Sequence, residues 1–569
     1  MTSRLGIAAG RLWLSRVGAA AAFAATLAIA GFYAGRVFMP LPIMASDEAS
    51  YLIRALWPDA VVARDPAVPA ITNGAHLSLI RAAYALGGPW IVSDRLFNAA
   101  AYFGGLLALW RACVRGLPRS ERFALLLLAL GFAYHRFALS NLAEGLFVGV
   151  AALICMATGR WWTRRPALHA VVAGTLCATL VLTKPHGLET VAALAALAAI
   201  EAVTGAGWRR LVLRAALFAA AFFVVGNLIQ MRAQEPAPNR LLFFMSDFYA
   251  GALSVKPPPG AWGLGALELL AMGATCAVLA GPPMVIGLAD LAGRRRAEGA
   301  GFQPRPGDLM LVLLVLALAA QVAMVAIFAM KVAGAPGETR RLWGRYFEFF
   351  APMIWLAAAP ALARRPTRPV ALGAAAALVV GLIGLLAAFR AGIVLFPWDS
   401  GVMTAFFHPD PIRAPLSVVT PYRAISIAAV LACALALALR VRPALAGLGL
   451  ILTLGLLSTW LDHVWVDPIV RQRNALAADA AVIRRALPPE PASVVLLAPD
   501  ANEGHLGFLE LNARPFVLIG PPAATPPAEI AGAGAAVVSG PDAPPGGTWR
   551  RVFRGRDLSL WRQALPSAP

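Results

Sequence analysis

Acidic residues and cysteines are scarce in this chain. Its 569 residues hold 29 Asp and Glu against 49 Lys and Arg, with seven histidines and five cysteines. The cysteines, Cys113, Cys155, Cys177, Cys276 and Cys433, all fall in or at the ends of apolar runs, with no paired spacing in a loop. That pattern excludes a disulfide framework and a cysteine metal cluster, and predicts small buried hydrophobes instead. Charged residues make up only 14% of the chain, too few for a set of ordinary soluble domains. The formal net charge of +20 raises the question of nucleic-acid binding, but the arginines recur as short clusters between apolar runs, not on one basic domain or helix. Nucleic acid is therefore excluded as a partner.

Apolar sequence is what abounds: 59% of residues are hydrophobic and the mean hydropathy is +0.70. Run after run reaches the roughly 20 residues that cross about 30 Å of hydrocarbon. Such runs must be helical, because lipid offers backbone amides no partner. The expected fold class is a polytopic α-helical membrane protein of about 13 transmembrane helices with a small C-terminal extracytoplasmic α/β domain.

Arg4, Arg11 and Arg16 precede a first run at 17–37 that lacks a small-residue cleavage site, so it reads as an uncleaved span with a cytoplasmic N-terminus. Residues 38–90 then form a first outer loop, in which 50–57 and 76–86 have the pattern of interfacial helices. Later spans are expected at 97–110, 123–133, up to 158, 167–182, 188–203, up to 230, 262–294, 309–330, up to 364, up to 391, up to 440 and 444–460. The short run at 123–133 and the tight outer hairpins are where half-helices could stand in for full spans. The breaks assigned to the inside carry clusters such as Arg160, Arg164 and Arg165, Arg209 and Arg210, or Arg294 to Arg296, as a multi-pass protein of a bacterial inner membrane requires. From 462 to 569 the apolar runs shorten; 494–497, 516–519 and 536–538 read as buried strands of an extracytoplasmic α/β domain. The predicted division is 1–461 and 462–569.

This topology gathers polar groups at the outer face: Asp47, Glu48, His135, Arg136, Glu144, Lys184, His186, Arg340, Arg341 and Arg345. Ionisable groups at membrane depth are costly and so are functional candidates. Cations suit a lipid-linked sugar phosphate and its leaving group, and a carboxylate suits the proton of an acceptor hydroxyl. Blander roles stand beside these. Asp47 and Glu48 could only cap the following helix; Glu144 could be a second acid, a metal ligand or the partner of Arg136; Lys184 could snorkel to the interface; Arg340 and Arg341 could bind headgroups of membrane lipids. His76, His186, His408, Glu503 and His505 are expected at the surface or in caps, and no spacing marks a metal site.

Asp47-Glu48-x-x-Tyr51 after the first span resembles the acidic signature of the GT-C glycosyltransferase superfamily, which includes protein O-mannosyltransferases and lipid A aminoarabinose transferases. Thr183-Lys184-Pro185 is similar to a hairpin of that superfamily, and Arg345-Tyr346 with Pro352 resembles the start of one of its late spans. One element departs: residues 69–76 stand where the aminoarabinose transferases carry a Phe-Glu-Lys-Pro-Pro-like segment. The resemblance implies a polyprenyl-phosphate-linked sugar donor and an acceptor that is lipid, polysaccharide or protein. Transfer would be inverting, with Asp47 as general base and Glu48 and Glu144 beside it. Lys184, Arg341, Arg345 and Tyr346 would bind the donor phosphate; some members of the superfamily use a divalent cation, so a metal is an open expectation. The rival reading is a transporter or flippase of lipid-linked sugars, which should show internal repeats with broken helices; none is visible in the sequence.

Overall fold

Each long apolar run becomes a helix, and the polar breaks between runs fall at two opposite ends of a bundle. The computed structural model describes residues 2–39, 45–56, 73–132, 134–203, 207–233, 256–299, 303–331, 340–394, 399–400, 431, 434–435, 438, 442–487, 494–497, 516–520, 534–539, 542–544 and 548–563. The helices are α1 (Thr2–Val37), α2 (Ala45–Leu56), α3 (Gly74–Ala85), α4 (Trp90–Cys113), α5 (Arg119–Leu130), α6 (His135–Ala138), α7 (Glu144–Trp161), α8 (Pro166–Thr183), α9 (Leu188–Val203) and α10 (Trp208–Ala233). They continue with α11 (Ala261–Glu298), α12 (Pro306–Lys331), α13 (Phe350–Ala357), α14 (Ala359–Leu362), α15 (Arg368–Arg390) and α16 (Pro443–Ala486).

Among the described residues nine helices are long and apolar enough to cross a membrane, where the sequence suggests about 13 spans. The difference has physical causes. α5 is only 12 residues long; the span expected before Arg364 is split into α13 and α14; α4 opens with buried Asp94 and Arg95. The span expected up to 440 lies almost wholly outside the described residues.

The arginine clusters sit together at one end. Arg214 pairs with Glu201 at 2.6 Å, Arg364 with Asp290 at 2.8 Å, and Arg294 with Asp290 at 3.0 Å. Arg210 donates to the Thr163 carbonyl at 3.3 Å, tying the α7–α8 turn to α10. The opposite end holds the start of α7, the end of α8 and the region of Asp462 in α16.

α4 and α7 approach through small residues. A Cβ on Gly149 would lie 2.4 Å from the Ala101 carbonyl oxygen, and one on Gly145 2.6 Å from that of Asn98. Gly145 and Gly149 stand four residues apart on α7, the small-xxx-small spacing that lets two membrane helices touch by their backbones. The contact lets the Asn98 amide oxygen accept the Leu146 N–H at 3.1 Å, satisfying an orphan donor in the first turn of α7.

The C-terminal sheet has strand order β2-β1-β3-β5-β4, with β1 (Val494–Leu497), β2 (Phe516–Gly520), β3 (Ala535–Ser539), β4 (Trp549–Arg554) and β5 (Leu558–Gln563). β1 runs parallel to β2 and β3, while β5 is antiparallel to both β3 and β4. The three apolar strands match the sequence expectation. The β4–β5 hairpin was not foreseen, because β4 (Trp-Arg-Arg-Val-Phe-Arg) is arginine-rich and largely exposed.

α16 is continuous over 44 residues, so the boundary expected at 462 falls within a helix. Its Pro443–Val464 part is long and apolar enough to span; the remainder supports the sheet. Leu476, Ala480 and Ile483 of α16 form one buried cluster with Leu496, Val537 and Leu560 of the sheet, and with Leu52 and Ile53 of α2 and Leu77 and Ile80 of α3. The sheet thus shares one buried cluster with the helix that carries Asp47 and Glu48. Replacing Gly149 by Leu should force α4 from α7 and lower stability by about 1–3 kcal/mol, read as a fall in the thermal midpoint of the purified protein; an unchanged midpoint would refute the close contact.

Candidate active site

The Glu48 carboxylate is fully buried, and its Oε1 accepts the backbone N–H of Asn141 at 2.6 Å. Asp47 lies one residue earlier in the first turn of α2; its side chain is outside the described residues. The first turn of a helix favours acids, so local structure and the chemistry expected of the pair agree.

Glu144 begins α7 and Lys184 ends α8, each with the charge that its helix end favours. Pro185 holds the preceding Lys184 in an extended conformation (φ −151°, ψ 135°), which stops α8. Gly187 lets the chain fold back, since a Cβ there would lie 2.8 Å from the Val181 nitrogen. The Lys184 ammonium forms a buried ion pair with Glu144, and lies 5.1 Å from the centre of the Tyr346 ring. The ring of His186 meets the same tyrosine edge-on at 4.4 Å.

Arg345 and Tyr346 come from a short 3-10 turn, Gly344–Tyr346. Arg345 Nη2 donates to the Tyr346 hydroxyl at 3.0 Å, and the Arg345 carbonyl accepts the Tyr134 hydroxyl at 2.6 Å. The Arg345 N–H donates to the Asp399 carbonyl at 2.5 Å. The buried Asp399 carboxylate receives Arg341 Nε at 2.7 and 2.8 Å. Glu48, Glu144, Lys184, Arg345 and Tyr346 therefore lie along one connected path at one end of the bundle, with Arg341 joined to it through Asp399.

Other sequence expectations change. Arg136 pairs with Asp462 of α16, not with Glu144. Asp462 also accepts the Tyr33 hydroxyl at 2.7 Å and Arg36 Nη1 at 3.1 Å. Glu144 goes to Lys184 instead because the start of α7 and the end of α8 lie side by side at this end of the bundle. His135 is set among Tyr33, Tyr102 and Phe103, away from this path. His76, expected at the surface, is fully buried; its Nε2–H donates to the Asn141 carbonyl at 3.3 Å and its ring meets Tyr51. Burial, with Lys184 nearby, lowers its pKa to about 4, so it is neutral at neutral pH. His408, Glu503 and His505 lie outside the described residues. So does 69–72 of the departing segment, while Asn73 donates to the Thr183 carbonyl at 2.5 Å.

Sequence reasoning passed over Asp94, Arg95, Asn141, Glu348, Asp399 and Asp462. Their signal was weak but present: each is polar beside or within an apolar run, where burial demands a partner. Among the described residues no three His, Cys, Asp or Glu side chains converge as a metal site requires.

No family model and no curated protein matches the sequence. Solved structures do. ArnT from Cupriavidus metallidurans in the apo state superposes with a TM-score of 0.52 at 18% identity, over 97% of this chain and 98% of that one. The chain shares the overall fold of that ArnT. The same ArnT bound to undecaprenyl phosphate gives a TM-score of 0.50 at 18% identity, over 96% and 97% of the two chains. The oligosaccharyltransferase of Archaeoglobus fulgidus in the apo form overlaps at a TM-score of 0.39 and 11% identity, over 88% of this chain and 64% of that one, too loosely to argue from.

The buried groups of this fold can be probed by two measurements. Replacing Asp462 by Ala leaves Arg36 and Arg136 buried without their shared carboxylate and should cost about 3–5 kcal/mol, whereas removing the half-exposed Arg364 should cost under about 1 kcal/mol. Thermal unfolding compares the two, and equal effects would contradict the hub role. Because His76 titrates lower when folded than the ordinary value of 6.5, its contribution is present above pH 6.5 and is lost as pH falls toward 4. His76→Gln should flatten that part of the stability profile; a profile that keeps its full slope would contradict this.

Proposed function

We propose that this protein is a membrane glycosyltransferase that moves a sugar from a polyprenyl-phosphate donor to an acceptor at the outer side of a bacterial inner membrane. The observation that carries the reading is the buried Lys184–Glu144 pair set against Tyr346 and Arg345, at the same end of the bundle as the acidic helix α2. The GT-C fold supports it, as does the undecaprenyl phosphate bound to ArnT. On this reading the N-terminus is cytoplasmic and the C-terminal domain lies outside.

Breaking the bond between a sugar and its lipid phosphate leaves negative charge on the phosphate. Lys184 and Arg345, in a site shielded from water, stabilise that charge more strongly than they would in solvent. Glu144 compensates the Lys184 charge before the donor arrives and holds the ammonium in place. Arg341 acts from the adjoining Asp399 side, and Tyr346 presents a ring face to Lys184 and a hydroxyl to Arg345. On the opposite face of the sugar Asp47 takes the proton of the acceptor hydroxyl as it attacks the anomeric carbon, a single displacement with inversion. Glu48, bound to the Asn141 N–H, fixes the turn that presents Asp47.

Asp47→Asn should abolish transfer, seen by mass spectrometry as loss of the outer-face glycoconjugate that cells make only when the wild-type protein is present. Full transfer by this variant would sink the assignment of the base, and accumulation of transported but untransferred lipid-linked sugar would favour the flippase. Lys184→Ala should weaken binding of undecaprenyl phosphate roughly tenfold or more, since a hydrogen bond to a charged group contributes about 1.5–3 kcal/mol.

A further inference from the structure

Asn141 takes no part in bond making or breaking in the scheme above, yet it touches three of the site's supporting helices, α2, α3 and α4. Its backbone N–H donates to Glu48 Oε1 at 2.6 Å, reaching α2. Its carbonyl accepts His76 Nε2–H at 3.3 Å, reaching α3. Its side-chain Nδ2 donates to Asp94 Oδ2 at 2.8 Å and to the Ile91 carbonyl at 2.9 Å, and its Oδ1 accepts Arg95 Nε at 2.8 Å, reaching α4 at three points. Every polar group of the residue is committed, and the residue is fully buried.

Arg95 extends the reach by one step. Its Nη1 donates to the carbonyls of Arg36 and Val37 at 3.3 Å and of Met39 at 2.6 Å, gripping the end of α1 just before α2 begins. Three residues beyond Asn141 stands Glu144, paired with Lys184. The turn 140–144 therefore holds the acidic helix with one residue and the phosphate-side cation with another. The backbone N–H of Asn141 holds α2, and its side-chain amide anchors the turn that presents that N–H to α4, donating to the Asp94 carboxylate and accepting from the Arg95 guanidinium at once.

We propose that Asn141 is a positioning residue that sets the register of α2, and so of the Asp47–Glu48 pair, against the Lys184–Glu144 pair. Its consequence for rate rests on the transferase reading; its consequence for α2 does not. Asn141 touches neither sugar nor phosphate in this scheme. It acts by keeping the carboxylate end of the site at a fixed distance from the cation end, and a displacement of about 1 Å is enough to cost roughly a hundredfold in rate.

The test uses the full-length protein in detergent or nanodiscs and two variants. Asn141→Leu keeps the size and removes the amide. The exchanged pair, Asn141→Asp with Asp94→Asn, reverses donor and acceptor across the 2.8 Å contact while leaving an acceptor for Arg95. In Asn141→Leu the amides of residues 45–56 should exchange hydrogen at least about tenfold faster, with those of α11 and α15 unchanged, and transfer per folded molecule should fall roughly a hundredfold while undecaprenyl phosphate binding stays within about twofold. The exchanged pair should restore slow exchange in α2 and most of the transfer. Unaltered α2 exchange in Asn141→Leu overturns the proposal. So does an exchanged pair that remains as fast as Asn141→Leu, and so does a loss of transfer that only tracks the amount of folded protein. Should Asn141→Leu fail to fold, the exchanged pair decides alone: a folded protein with protected α2 supports the role, and an unprotected α2 ends it. A wild-type protein that transfers no sugar defeats the transferase reading and leaves the exchange measurement standing.

Discussion

An ionised group kept from water must be matched by charge or by hydrogen bonds, and this chain buries such groups at one end of its bundle. Glu48, Asp94, Arg95, Arg136, Glu144, Lys184, Arg345, Asp399 and Asp462 are all buried. The compensation crosses between helices far apart in sequence: Glu48 with Asn141, Glu144 with Lys184, Arg341 with Asp399, Arg36 and Arg136 with Asp462. Lipid supplies no hydrophobic drive between helices, so these pairs do much of what an apolar core does in a soluble protein. They also fix where the cations of the proposed donor site stand relative to its acids.

The opposite end works on different terms. Its arginines pair with acids on nearby turns, as Arg294 does with Asp290, and Arg364 does so while half exposed. Pairs in contact with solvent contribute little to stability. The two ends thus differ: at one, arginines pair with acids on neighbouring turns, and at the other, buried charges tie together helices far apart in sequence.

Much of this was legible in the sequence because it depends on local rules. A run of apolar residues predicts a helix, a Pro after Lys184 predicts the end of α8, and an acid at the first turn predicts the placing of Glu144. Glu48, Glu144, Lys184, Arg345 and Tyr346 were singled out for their residue types and shared side; contacts join the last four, and Glu48 bonds Asn141, three residues before Glu144. What stayed hidden depends on distant pairing. Nothing near Arg136 names Asp462, which lies more than 300 positions further along the chain, and nothing in Ser140-Asn141-Leu142 announces five bonds to three helices. β4 was missed because it breaks the apolar pattern: its strand pairing comes from β5, not from its own side chains.

The join between membrane and sheet carries a geometric consequence. Where a loop would tether the C-terminal domain, α16 runs through without interruption, so the domain is splined to its span like a wheel on a shaft. Each residue of an α-helix turns the chain by about 100° and advances it about 1.5 Å. A single residue gained or lost between 464 and 476 would therefore not lengthen a leash. It would swing the whole sheet to another side of the bundle and break up the buried cluster that it shares with Leu52 and Ile53. Chain length in that short interval is as constrained as any buried charge at that end of the bundle.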